Sequence, residues 1–361
     1  MQDALFPEEE LPPAPRTVTA VGAERKTAAA VRPAPVDEAV KTLAQALPDQ
    51  VYLGTSTWTY PGWAGRVWDR SYSDKQLSKQ GLQAYAAHPL LRAVCIDRSF
   101  YRPLTASQYE RYALQVPPGF RFVVKAPSLV ADAQLRDEHG RGTGSNSAFL
   151  NAELAGQEFV TPVLEGLGAK AGALVFQLSP LSAAQLGDID TVLHKLRQML
   201  LNLPPLRPRA PDAVIAVEVR DAALLCPAFV DVLREAGATY CLGLHPKLPQ
   251  PEEQLWLLRQ LWPGPFVCRW NLNRLHGPYG YEDAQRRYGE YEQIVDPDPD
   301  TRALIARVAR ATARAGQKVY VTINNKAEGC APLSVRALAQ ELLNESAPDS
   351  QGSASDARRA D

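Results

Sequence analysis

Three short apolar stretches each end in a side chain able to move a proton or hold an anion: F-V-V-K (122–125), V-E-V-R (217–220) and F-V-C-R (266–269). In an extended chain, side chains two apart share a face. Glu218 and Arg220 therefore project together, and Lys125 and Arg269 end their own runs in the same way. Glu218 can serve as general base, or as general acid where burial raises its pKa. Lys125 can act as an electrophilic cation or, desolvated beside arginines, as a Schiff-base nucleophile. These two are the candidate catalytic residues. Guanidinium forks match carboxylate and phosphate geometry, which makes Arg220 and Arg269 candidate holders of a small anionic substrate. Asp97 adds a second carboxylate, and Gln177 and Asn324 add orienting amides. Trp58 and Tyr60 could stack on a ligand or seal a core.

Other chemistries are poorly supplied. A metal-dependent phosphodiesterase needs a dense set of His, Asp and Glu ligands. The chain has five histidines, of which His88, His139 and His194 fall away from the apolar run ends, leaving His245 and His276. No metal or other cofactor is expected. The 361 residues carry 39 basic against 40 acidic side chains, a formal net charge of −1. That balance gives no global attraction to nucleic acid or an anionic membrane, and leaves room for a local basic cleft. Cys95, Cys226, Cys241, Cys268 and Cys330 are spread singly without a C-x-x-C pair, which fits a reducing cytosol. The opening MQDALFPEEE is acidic and lacks a signal-peptide pattern, and no apolar run approaches the ~20 residues of a membrane span. A cytoplasmic location is expected; oligomeric state is not written in these features.

The elements that must position these residues follow from periodicity. Eight short β-branched, apolar or aromatic runs are bounded by turn signals: VYLGT (51–55), RAVCID (92–97), FRFVVK (120–125), GALVFQ (172–177), AVIAVEV (213–219), TYCLGL (239–244), FVCRWN (266–271) and KVYVTIN (318–324). Helical patterns follow most of them. Ile189, Val192, Leu193, Leu196 and Leu200 form an amphipathic stripe, Thr105 and Gln108 a capping box, and Pro227 opens a helix that Gly237 stops. Eight strand–helix units predict an α/β fold, a (β/α)8 TIM-like barrel. The alternative, a doubly wound sheet, wants G-x-G-x-x-G after its first strand, where this chain has G-T-S-T-W.

A single barrel domain over 50–345 is expected, with disordered tails at 1–49 and 346–361. The first tail holds seven of the 30 prolines, eleven alanines and one aromatic, Phe6, although Asp37–Leu47 could form a short helix. Two connections, 126–148 and 272–299, are long enough for binding loops, the second with four tyrosines beside Arg286 and Arg287.

Alternation within a barrel strand sends one row to the helices and the other inward. Ala216, Glu218 and Arg220 then point inward, as do Val123 and Lys125, and near the strand ends Ser56, Cys95, Asp97, Gln177, His245, Arg269 and Asn324. Barrel active sites lie at the C-terminal mouth, where these polar groups crowd.

The segments GTSTWTYPGW (54–63), SFYRPLT (99–105), FRFVVKAP (120–127), LVFQLSP (174–180), VEVR (217–220) and YVTINNKAEGCAP (320–332) resemble the YecE/YunF-type proteins, domain of unknown function 72. The resemblance spans residues 51 to about 343 and implies a TIM-barrel-like fold without an established activity. It emphasises Trp58, Tyr60, Phe100, Tyr101, Lys125, Gln177, Pro180, Glu218, Arg220, Asn324, Asn325, Gly329 and Ala331, and so adds Tyr101 to the candidate substrate-binding set. This chain departs from the family pattern at Cys95 and Asp97, where a glutamate and an asparagine are usual, at Ser179, and at Asp221, where His is usual. An Arg-x-His-Gly element of the family aligns with Arg269 or with RLHG (274–277).

Taken together, the expected function is that of a metal-independent enzyme binding a small phosphate- or carboxylate-bearing substrate at the mouth. The alternatives are a metal-assisted phosphodiesterase or nuclease, with Arg286, Arg287 and the loop tyrosines tracking a nucleic-acid backbone, and a non-catalytic binding or adaptor protein.

Overall fold

The computed structural model describes residues 30–137, 141–277 and 279–344. Eight parallel strands close into a barrel: β1 (Val51–Thr55), β2 (Ala93–Ile96), β3 (Arg121–Lys125), β4 (Ala171–Gln177), β5 (Val214–Glu218), β6 (Thr239–Gly243), β7 (Phe266–Trp270) and β8 (Val319–Ile323). Each pairs with its sequence neighbours, and β1 closes the ring against β8 with Val51 opposite Val319. Every strand lies within one residue of its expected run at either end.

The two side-chain rows separate as alternation requires. Leu53, Val94, Phe122, Leu174, Val217 and Leu242 join the main core between strands and helices. Cys95, Val123, Val175, Ala216, Cys241 and Val267 meet inside the barrel. At the N-terminal end, Tyr52 and Tyr320 stack with ring centroids 5.2 Å apart, and Arg121 lies over the Tyr52 ring while pairing with Asp212 at 2.6 Å. That end is plugged, so polar chemistry is left to the opposite mouth. The capping box at Thr105 and Gln108 forms, as does the Pro227 start of helix Pro227–Glu235.

Gly54 sits where β1 meets β2, opposite Ala93. A Cβ there would lie 1.8 Å from the Ala93 carbonyl oxygen. Gly54→Ala is expected to cost about 1–3 kcal/mol, the usual penalty for overpacking a strand contact. A denaturant melt matching wild type would remove this explanation for the glycine.

The expected tail at 1–49 needs correction over its described part. The helix Glu38–Ala46 forms, Val40, Ala44 and Leu47 are buried, and the helix packs against Ala331–Leu343. Arg92 caps its C-terminal end by donating to the carbonyls of Ala44 and Pro48. The short helix allowed for Asp37–Leu47 is therefore present, and its i, i+4, i+7 apolar stripe docks it on the barrel where a disordered tail was expected. Residues 1–29 and 345–361 lie outside the described residues. Among the described residues, no helix is long and apolar enough to cross a membrane.

Both long connections contain structure. The first holds a short helix, Ser128–Ala131, and an antiparallel ribbon of Gln134–Arg136 with Gly142–Ser145. The second holds the helix Tyr281–Tyr288 and buries Leu272, Ala284, Tyr288 and Tyr291 in a small cluster of its own. Tyr60 joins that cluster to the barrel. Arg286 and Arg287 are committed to Asp283 and Asp296, so the expected basic track is internally paired.

Candidate active site at the barrel mouth

Glu218 ends β5 on the inward row and is fully buried. Its two oxygens are held by different arginines. Oε1 accepts from Arg220 Nη1, and Oε2 accepts from Arg269 Nη1 at 2.6 Å. Gln177 Oε1, from the neighbouring strand β4, accepts from both guanidiniums, at 2.9 Å from Arg220 and 3.0 Å from Arg269. Arg269 Nη2 then reaches Asp97 Oδ1 at 2.8 Å, and the same oxygen accepts the Cys95 thiol at 3.1 Å. Five of the expected residues (Asp97, Gln177, Glu218, Arg220 and Arg269) therefore form one connected network.

The electrostatics follow from this geometry. Burial pushes the Glu218 carboxyl up, but the charges of Arg220 and Arg269 and the Arg269 hydrogen bond outweigh it and hold the pKa at about 2. A carboxylate engaged at both oxygens and ionised this firmly is a poor proton carrier. It is well suited to holding two arginines in place. Burial likewise pushes the Cys95 thiol well up, reinforced by Asp97, which makes that thiol inert.

Lys125 behaves differently. Its Nζ lies 3.5 Å from the centroid of the Phe100 ring. Among the described residues it has no hydrogen-bond acceptor and no ion pair, yet the charges of Asp97, Arg269, Arg220 and Glu218 all act on it. Burial lowers its pKa to about 8; Asp97 and Glu218 oppose that shift, while Arg269 and Arg220 reinforce it. A fraction of this amine is thus uncharged near neutral pH.

Three residues outside the expected substrate-binding set, His245, Tyr281 and Lys326, lie around this network. His245 follows β6 and accepts the Lys247 N–H through Nδ1 at 3.2 Å, which places its own proton on Nε2. Burial and the charge of Arg220 lower its pKa to about 4, so the ring is neutral. Tyr281 opens the helix of the second long connection, its ring 6.4 Å from that of His245. Its hydroxyl lies in the field of Arg220, Glu218, Arg269 and Asp97. Lys326 Nζ lies 5.9 Å from the Tyr281 ring and has its pKa lowered by burial.

The remaining expected residues are placed elsewhere or differently engaged. Asn324 is at the mouth rim, but its amide is used locally, donating to Ser56 Oγ at 2.8 Å and accepting from the Lys326 N–H at 2.9 Å. Trp58 is buried against Tyr112, with ring centroids 5.5 Å apart, because a large apolar indole finds more contact among helices than in a polar mouth. Tyr60 packs between Trp63 and Tyr291, at 5.4 and 5.1 Å. Tyr101 is 55% exposed, beyond Phe100. Of the residues not chosen from sequence, His245 was readable as inward, and Phe100 came with the family pattern. Tyr281 was one of the four tyrosines of the second long connection, and Lys326 lies in the YVTINNKAEGCAP segment of the family pattern, but neither was distinguished from its neighbours there. Among the described residues, no group of three or more His, Cys, Asp or Glu is arranged to hold a metal ion.

No curated protein matches the chain. A family model described as "Protein of unknown function DUF72" matches residues 52–357. A solved DUF72 family protein from Thermotoga maritima superposes with a TM-score of 0.51 at 19% identity, covering 81% of this chain and 99% of that one. That likeness is one of fold alone. Another, from Enterococcus faecalis, gives a TM-score of 0.49 at 18% identity, over 83% of this chain and 100% of that one.

Proposed function

Because this chain belongs to the DUF72 family, whose description assigns no function, we propose an activity from the site alone: a barrel enzyme acting on a small phosphate- or carboxylate-bearing substrate, without a metal, at the C-terminal mouth. The observation that carries this reading is a half-buried amine, Lys125, which rests on the Phe100 ring with no acceptor among the described residues, beside two arginines that pair with Glu218 and Asp97. Lys125, Arg220 and Arg269 against Glu218 and Asp97 leave more positive than negative charge at the mouth, and low dielectric magnifies the want of an anion.

In this scheme Glu218 is a positioning residue. It fixes Arg220 and Arg269 so that their remaining N–H groups, with the Nε2–H of His245, present a preorganised anion cradle. Proton transfer passes from Glu218, where the sequence placed it, to Lys125, whose pKa of about 8 lies near working pH. Gln177 sets the spacing of the two guanidiniums. Tyr281 and Lys326 close the cradle from the loop side. The metal-assisted reading is weaker because Glu218 and Asp97, the carboxylates it would use, are already bound to arginines. Five unpaired cysteines suit a reducing compartment, and the cytoplasm is the proposed location.

A thermal-shift screen with inorganic phosphate, sugar phosphates, organic acids and divalent metals tests this. A ligand at 100 times its dissociation constant adds about 2.7 kcal/mol to the folded state. We expect one anionic class to raise Tm, with the shift lost in Arg220→Ala and unaffected by chelator. Stabilisation by metal alone, or an unchanged shift in Arg220→Ala, would overturn the proposal.

A further inference from the structure

We propose that Lys125 forms a covalent imine with a carbonyl carbon of the ligand, so that the substrate class is a small oxo compound carrying a phosphate or carboxylate. This rests on the anion-binding reading above and deepens it. Lys125 ends β3 on the inward row, and the face it meets is the apolar Phe100 ring rather than an acceptor. A lysine kept for charge alone would be expected to carry a carboxylate partner. Here the nearby carboxylates are spent on arginines, Glu218 at both oxygens and Asp97 through Oδ1. Desolvation beside like charges is the setting that leaves an amine free to attack.

The neighbours supply what imine formation needs. The uncharged Nζ adds its lone pair to the carbonyl carbon, and one Nζ proton passes to the carbonyl oxygen, giving a neutral carbinolamine. The second Nζ proton then passes to the hydroxyl, the carbon–oxygen bond breaks as the C=N bond forms, and water departs. Amine plus carbonyl becomes imine plus water, with no oxidant or reductant consumed. Asp97 is placed to relay the proton from nitrogen to the leaving hydroxyl. Its Oδ2 has no hydrogen bond among the described residues, and its side chain is 31% exposed toward solvent. The Nε2–H of His245 is a neutral donor for the carbonyl oxygen. Arg220, 10% exposed, holds the anionic end.

The test is reductive trapping. The full chain is incubated with pyruvate, and separately with dihydroxyacetone phosphate, then treated with borohydride and weighed by intact-mass spectrometry. We expect a single adduct with at least one of them, mapped to Lys125, suppressed by excess inorganic phosphate and lost in Lys125→Arg. Thermal melts confirm that the variant is folded. Phosphate suppression in the wild type gives a second readout should the variant not fold. Labelling spread over other lysines, or insensitive to phosphate, overturns the imine. Anions that stabilise the protein without any trapped adduct overturn the imine and leave the anion site standing. Neither stabilisation nor adduct removes both.

Discussion

Glu218→Ala is expected to destabilise the protein by about 3–5 kcal/mol, the usual cost of removing one partner from a buried charge network. Among the described residues, the variant leaves Arg269, 3% exposed, with Asp97 as its sole remaining carboxylate, and Arg220 with none. Arg269 Nε is already buried without a partner, so that guanidinium has little else to turn to. The effect has a pH signature. The Glu218 pKa falls from 4.5 to about 2 on folding, so its contribution is fully present above pH 4.5. It disappears as pH drops toward 2. Urea melts of wild type and Glu218→Ala across that range check both parts. Equal stabilities at neutral pH, or a difference that does not shrink in acid, would mean the network is not what holds this end of the barrel.

Lys125→Met is expected to act in the opposite direction on stability and to abolish function. The folded pKa of about 8 lies below the unfolded 10.5, so at neutral pH the fold bears a penalty for charging this amine. The full shift corresponds to about 3 kcal/mol. The side chain is only partly buried, and solvent screening reduces the expected gain in Lys125→Met to about 1–2 kcal/mol. Methionine keeps the volume and packs on Phe100 without a charge. The gain should be complete below pH 8 and fade as pH rises toward 10.5, where the amine is neutral in both states. Anion-induced stabilisation and borohydride trapping should both be lost. Such a stability–activity exchange is the mark of a residue kept for chemistry. A variant less stable than wild type at neutral pH would instead identify Lys125 as a structural contact.

Much of this protein is legible locally. Alternation along V-I-A-V-E-V-R is a property of extended backbone, so the inward placement of Glu218 and Arg220 needed no knowledge of the rest of the chain. The same holds for all eight strands, whose bounds the turn residues mark. Composition was a poorer guide. Proline and alanine content marked residues 30–49 as a tail, whereas burial of Val40, Ala44 and Leu47 depends on a helix at the far end of the chain. Trp58 and Tyr60 were ambiguous because an aromatic side chain suits a core and a ligand equally, and only packing separates the two.

What the sequence determined by itself was the barrel and the set of polar residues aimed at its mouth, because strand periodicity and turn chemistry act over a few residues. What the tertiary structure decided was the division of labour within that set. Arg269 meets Asp97 across 172 residues of chain and Glu218 across 51. These pairings tie Glu218 to two guanidiniums, while Tyr281 and Lys326 come in from the loops and Lys125 is left on the Phe100 ring with no acceptor among the described residues. A pKa depends on neighbouring charge and on water excluded from all sides, and closing the barrel sets both.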